Sequence, residues 1–286
     1  MPAEGLTAEV LANHVRSIPT LPTVLIELSR RMEDPKTSSD DLAQVIQQDQ
    51  AIASKVLKLV NSPFYGYSGR INTINQGIVI LGFNAIKNLV LSTSVMEAFK
   101  DIESGDNFRM DMLWVHSASV AGLSKLLAER SGAADPEEAF VCGLLHDIGK
   151  VLLWSSEPKL LSGCIQASQT HRMSFDEIEL RVLGFMDSEL AAVLAENWKF
   201  PPSLRDCLRW RPQPDRAGSS APLASAVHCA NILCIALGAT PIAKVPLAPP
   251  DPTAWRLMGL HHDDVLRQDL IEAPLIVEGA RSFVAS

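Results

Sequence analysis

The sequence predicts an all-α protein, and three observations carry that reading. Apolar residues recur at helical spacing along most of the 286 positions. Alternating β-branched runs are scarce, and the chain holds only two Tyr and nine Phe, so the pattern of a half-buried strand is missing. Helix-start chemistry also stands in front of the apolar stretches, as in Ser38-Ser39-Asp40, Asp135-Pro136-Glu137-Glu138 and Ser174-Phe175-Asp176-Glu177.

Taken in order, Ser38-Ser39-Asp40 opens a helix carrying Leu42, Val45 and Ile46. Ile52, Val56, Leu59 and Val60 repeat the spacing, followed by Ile74, Ile78 and Leu81, then Ile86, Leu89, Val90 and Val95. The stretch to about residue 105 reads as four to six short helices. Ser104-Gly105-Asp106-Asn107 is the clearest break in the first half. A longer helix, about 109 to 131, stops at Ser131-Gly132. Asp135-Pro136 starts the next, with Pro in the first turn and acids beside the positive end of the helix dipole. It is expected to run to Gly149. Glu157-Pro158 and the capping box Ser174-x-x-Glu177 open two more. A helix over 188–198 ends before Pro201-Pro202, and an apolar one covers 223–237 between the turn-rich segments 211–222 and 241–252. Two helical subdomains follow from this layout, 1–105 and 106–286.

Composition narrows the function. Apolar residues make up 47% of the chain and charged residues 20%, which suits a globular protein with a substantial core. A net charge of −8 argues against broad charge-driven binding to nucleic acid or to anionic lipid. No uninterrupted apolar run approaches the ~20 residues of a membrane span, and Met1-Pro2-Ala3-Glu4-Gly5 does not look like a signal peptide. A soluble, cytoplasmic protein is the expectation. The five cysteines (142, 164, 207, 229 and 234) are odd in number, widely spaced and without a CxxC, which fits buried thiols better than disulfides or a zinc-thiolate site.

The string that carries chemistry is Gly143-Leu144-Leu145-His146-Asp147-Ile148-Gly149-Lys150. An adjacent His and Asp at the end of an apolar helix can converge on one divalent ion, since an imidazole and a carboxylate suit a transition metal. Such a site needs a histidine from another helix, and His116 in Trp114-Val115-His116-Ser117 can supply it. The alternative for the pair is a helix-end histidine bonded to a neighbouring carboxylate.

Gly143 to Lys150, together with His116, resembles the HD superfamily of metal-dependent phosphohydrolases. The part before it resembles one branch, the HDOD (HD-related output) domain. The matching pieces are Ile18-Pro19-Thr20-Leu21-Pro22, Gln48-Asp49-Gln50-Ala51-Ile52, the run Leu57 to Gly66 through Asn61-Ser62, Ile74 to Gly77, and Ile80-Leu81-Gly82. The likeness covers about residues 15 to 235. It implies an HD-like helical bundle with an N-terminal helical subdomain. It also implies a bacterial regulatory output module in signal transduction, with signalling proteins such as response regulators or cyclic-dinucleotide enzymes as partners.

Departures from the related HD-GYP phosphodiesterases decide between output module and enzyme. Where those enzymes place a further histidine, this chain has Ser188; where they carry a His-His pair, it has Arg211-Pro212; and Asn231 falls where a late Asp ligand belongs. The Gly-Tyr-Pro signature is missing. The resemblance therefore leaves a vestigial metal site of His116, His146 and Asp147, empty or holding at most one weakly bound divalent ion, and no catalytic residue. Asp187 is the nearby carboxylate that could compensate, and Arg211 could put positive charge where a metal would help. The alternative is a phosphohydrolase or phosphodiesterase with a reduced mononuclear site.

Other motifs have plainer readings. Lys150 reads as a solvated helix-end lysine. Asp263 and Asp264 in His261-His262-Asp263-Asp264 read as acids at the start of a last helix. His228 reads as a buried, hydrogen-bonded ring, and His14 and His171 as surface residues. The loop Asn61 to Tyr67 reads as a helix-ending turn with Phe64 packed between the subdomains.

Overall fold

The computed structural model describes residues 7–8, 11, 23–32, 36–62, 64–65, 67, 69–244, 246–248, 251–260 and 262–285, without the side chains of 25, 29, 32 and 262–271. The Ile18 to Pro22 motif, His14, Pro63, Gly66 and His261, and the side chains of His262, Asp263 and Asp264, lie outside the described residues. Every regular element among the described residues is helical, so the fold is all-α.

The chain divides into two compact units. The first lies within Pro19–Asp101. Its helices are α1 (Thr23–Met32), α2 (Ser39–Gln47), α3 (Gln50–Val60), α4 (Ile74–Leu81) and α5 (Phe83–Ala98). Side chains fix where they start. Ser38 and Asp41 form a reciprocal capping box on α2, Asp49 accepts from Ala51 N and Ile52 N on α3, and Thr73 accepts from Gln76 N on α4. Gly82 turns α4 into α5 at φ +84°, a conformation that other residues reach only with strain. Ile46, Ile52, Val56, Leu59, Ile74 and Leu89 are all buried. The loop after α3 is held by one side chain. Asn61 Nδ2 donates to Leu57 O (2.7 Å) and Ile71 O (2.8 Å), while Ile71 N donates to Asn61 Oδ1 (2.8 Å). The amide thus copies a backbone ladder, and Phe64 in this loop is buried.

The second unit is built from Ile102–Val284 with Thr7, Ala8 and Leu11. Its centre is α6 (Met110–Ser131), which runs as expected to Gly132 in the left-handed conformation. Around it pack α7 (Pro136–Leu145), α13 (Ala221–Ala236) and α15 (His262–Val284). The closest of these contacts needs a glycine: a Cβ on Gly143 would stand 2.7 Å from Ala121 Cα. The remaining helices are α8 (Ile148–Ser156), α9 (Pro158–His171), α10 (Phe175–Val182), α11 (Asp187–Asn197), α12 (Pro202–Trp210) and α14 (Pro252–Leu257).

Three details differ from the sequence reading. The helix expected over 135–149 breaks at His146-Asp147, where Asp147 adopts φ −101°, ψ 14°, and a new helix begins at Ile148. The helices α12 and α14 arise inside Pro-rich stretches, each with Pro in its first turn. Finally, Gly218–Ala236 is long and apolar enough to span a membrane by length and composition, although interruptions hid this from a count of unbroken apolar runs; 56% of it is buried in the protein. The five cysteines are free and buried, His171 is exposed and Trp114 is buried.

Candidate functional site: a buried polar cluster

His116 lies about a third of the way along α6, His146 and Asp147 occupy the α7–α8 break, Lys150 sits in the first turn of α8, Asp187 begins α11 and Arg211 follows α12. Two glycines make this arrangement possible. Gly143 seats α7 on α6, and Gly149 lets α8 touch the start of α11 so closely that a Cβ would lie 1.9 Å from Asp187 O. Both glycines of the Gly143–Lys150 string are thus positioning residues.

His116, His146 and Asp147 are brought together, with one ligand-type atom of each within 4.8 Å of the others. Each imidazole is oriented by a backbone carbonyl: His116 Nδ1 meets Ala239 O at 2.6 Å, and His146 Nδ1 meets Gly143 O at 2.7 Å. A carbonyl only accepts, so both Nδ1 atoms carry the hydrogen. Both Nε2 atoms then present lone pairs, 3.2 Å apart. They also face Asp147, whose oxygens lie 3.2 Å from His146 Nε2 and 3.6 Å from His116 Nε2. Burial keeps the rings neutral; it lowers the His116 pKa and takes that of His146 down to about 3. Three acceptors converge, which is the donor set of a single cation.

That carboxylate is already engaged. Lys150 Nζ donates to Asp147 Oδ1 (2.6 Å) and to Asp187 Oδ2 (3.2 Å). One terminal nitrogen of Arg211 lies 2.9 and 2.7 Å from the two oxygens of Asp187 and 3.2 Å from Asp147 Oδ1, and Arg211 Nε donates to His146 O (3.1 Å). All four side chains are under a tenth exposed. Burial disfavours each charge, yet the opposite charges prevail: both carboxyls are held below their ordinary range, and Lys150 and Arg211 are held protonated. Two anions face two cations, and the cluster is neutral without a metal. Lys150 is therefore not the solvated lysine read from the sequence. Its three-residue spacing from Asp147 turns it inward onto that carboxylate. Arg211 does place its charge at the site. Asp187 joins the cations rather than the imidazoles.

Ser188 and Asn231 are also found here. Ser188 is fully buried, its hydroxyl without a partner among the described residues. Asn231 lines a cavity of about 90 Å³ together with His116, Asp147, Lys150 and Arg211. His228 is saturated. Its Nδ1 donates to Arg211 O (2.9 Å) and its Nε2 accepts from Asp251 N (2.9 Å), so it anchors the turn that carries Arg211.

Glu179 escaped the sequence reading. It is fully buried on α10 and accepts from Asp187 N through Oε2 (3.0 Å), and its carboxyl lies close to those of Asp176 and Asp187. Burial, with the charge of Asp187, pushes its pKa well above the ordinary value. The available signal was its place on the apolar face, four residues after Phe175 and beside Ile178.

The HDOD domain family matches residues 18–214. An uncharacterised protein of Treponema pallidum (strain Nichols) is 28% identical over 245 residues, 84% of this chain and 46% of the relative, so the chain spans less than half of that protein's length. Among solved structures, an HDOD domain protein of unknown function from Geobacter sulfurreducens superposes with a TM-score of 0.81 at 23% identity, covering 96% of both chains. A proposed phosphohydrolase from Shewanella amazonensis SB2B superposes with a TM-score of 0.75 at 25% identity, covering 98% of this chain and 99% of that one. With the family matched over more than half its length and its all-α fold shared with these structures, this chain belongs to the HDOD domain family.

Proposed function

We propose that the chain is a non-catalytic regulatory module of bacterial signal transduction, working in the cytoplasm through binding rather than turnover. One observation carries the reading: Lys150 and Arg211 bind the carboxylate that a catalytic ion needs. A metal that polarises phosphate and activates water must be held firmly by charged ligands. Here His116, His146 and Asp147 could hold one ion, which would supply that Lewis acidity, but its carboxylate partner is shared with two fixed cations. Asn231 brings no charge in compensation. The small cavity points the same way, because pockets for drug-sized ligands run to about 300–1,000 Å³ and this one has about 90 Å³. Signalling proteins, such as response regulators or cyclic-dinucleotide enzymes, are the partners this reading assigns, following the family resemblance.

A second reading, a phosphohydrolase with a mononuclear centre, draws on the two facing Nε2 lone pairs and on the name of the Shewanella protein. One assay separates the two. The purified chain is incubated with bis(p-nitrophenyl) phosphate or a cyclic dinucleotide and manganese, beside His146→Ala. Equal, background-level rates are expected. Turnover lost in the variant would establish the enzyme.

A further inference from the structure

The cavity beside the ion pairs has an unfinished polar floor and hydrocarbon walls. Lys150 Nζ carries three N–H bonds; two reach Asp147 and Asp187, which leaves one. Arg211 uses Nε and one terminal nitrogen, and its other terminal nitrogen has no partner among the described residues. Both residues line the cavity although only 6% and 3% exposed. Asn231 adds Oδ1, buried and without a donor. The walls include Ile232, Ile235, Ile242 and Leu247. Lys150 Nζ, which also lies 5.4 Å from the centre of the Phe175 ring, and Arg211 turn N–H groups of two cations toward the cavity, so this part of the floor favours a charged acceptor such as a carboxylate, while Asn231 Oδ1 accepts and stays clear of it.

The charges nearby permit it. Asp147 and Asp187 are each matched by Lys150 and Arg211. Asp176 is the one other carboxyl on the cavity wall, and burial raises its pKa toward the neutral form. Size sets the rest. About 90 Å³ is less than the ~150 Å³ of a cavity that takes the six heavy atoms of benzene, which limits the guest to about four or five.

We propose that the cavity binds a small organic monocarboxylate. Its charged end sits on Lys150 Nζ and the unused terminal nitrogen of Arg211, and its short hydrocarbon body lies against Ile232, Ile235 and Leu247. This deepens the regulatory reading and rests on it, since it makes the pocket a sensor for a metabolite-sized acid.

Calorimetry and thermal melting of the full chain test the idea, with sodium propionate as probe and sodium chloride and inorganic phosphate at matched ionic strength as controls. Saturable propionate binding is expected, with a Kd on the order of 1 mM. Ile232→Trp, which fills the cavity from a partly buried wall position, and Asn231→Asp, which puts a negative charge on its floor, should each weaken binding at least tenfold. Both should keep a cooperative melt without ligand. No saturable binding, equal effects of the control salts, or binding that survives either variant would overturn the proposal. The phosphodiester assay is run on the same preparations. Turnover there would sink the non-catalytic reading, while the propionate result separately decides the ligand.

Discussion

The two units treat charge in opposite ways. Within 19–101 the ion pairs lie toward solvent: Lys55 and Glu97 meet at 2.5 Å with side chains 31% and 19% exposed, and Arg30 and Arg31 pair with Glu27 along α1. In 102–284 the same residue types go inside. Every buried histidine or charged side chain among the described residues belongs to this unit. A surface pair is worth little because water already solvates both partners. A buried pair carries a large desolvation cost that only its partner offsets. The first unit is thus a packing solution, in which a change costs what it removes. The second is an electrostatic one, in which a change costs what it leaves behind.

The largest effect should come from geometry. Gly149→Val places side-chain atoms on Asp187 O and should destabilise the second unit by more than about 4 kcal/mol. Gly163→Ala, in a helix with open space around the new Cβ, should stabilise it by up to about 1 kcal/mol. All five Trp (114, 154, 198, 210 and 255) lie in the second unit, so denaturant titration by Trp fluorescence reads it alone, while circular dichroism reads both.

Next is the contrast itself. Arg211→Met leaves two buried carboxylates with Lys150 as their one cation and should cost about 3–5 kcal/mol, and adding Asp187→Leu should recover a good part of that. If the double variant is as unstable as the sum of the two singles, the network is not a coupled unit and the comparison fails. In the first unit, Asn61→Ala should cost about 1–3 kcal/mol by leaving the Ile71 amide and carbonyl unpaired. Circular dichroism should register it while Trp fluorescence does not.

Protons sharpen the comparison further. Folded His146 titrates at about 3, well below a free imidazole. Between that value and about 6.5 the unfolded chain binds more protons, so stability falls as pH drops through this window. Glu179 acts with the opposite sign. Its folded pKa is raised, so above about 4.5 the unfolded chain binds fewer protons and stability falls as pH rises. Each group contributes a slope of at most about 1.4 kcal/mol per pH unit. Glu179→Gln should flatten the alkaline fall, and melts from pH 5 to 8 would show it. Smallest of all, Glu97→Gln in the first unit should change stability by less than about 1 kcal/mol and lose even that in high salt.

Local chemistry was legible in the sequence. Helix starts at Ser38, Asp135 and Ser174 are written in two to four residues, and the structure uses each as a cap. The His146-Asp147 pair and His116 were readable because a short string marks the helix end. The ion-pair partners were not. Arg211 finds Asp187 across 24 residues and Asp147 across 64; the family comparison set it at the site, but no local pattern named the two carboxylates it pairs with. Lys150 was misread because a lysine one turn after an aspartate looks the same on a solvated helix as in a core. Glu179 was missed because a single acid on a short amphipathic helix reads as surface.

Gly149 and the four-member charge cluster together make this pocket hard to redesign one letter at a time. To fit a tightly held metal, an engineer would free Asp147 from Lys150 and Arg211 and add a carboxylate near Asn231. Removing either cation first leaves two buried carboxylates sharing the other, and adding the carboxylate first leaves Asp147 still held by Lys150 and Arg211. No single change therefore yields a tight site, and the route of a bulkier Gly149 that shifts α8 away is closed by the Asp187 carbonyl. In sequence space the chain therefore sits in a steep-walled basin, and only simultaneous changes lead out of it.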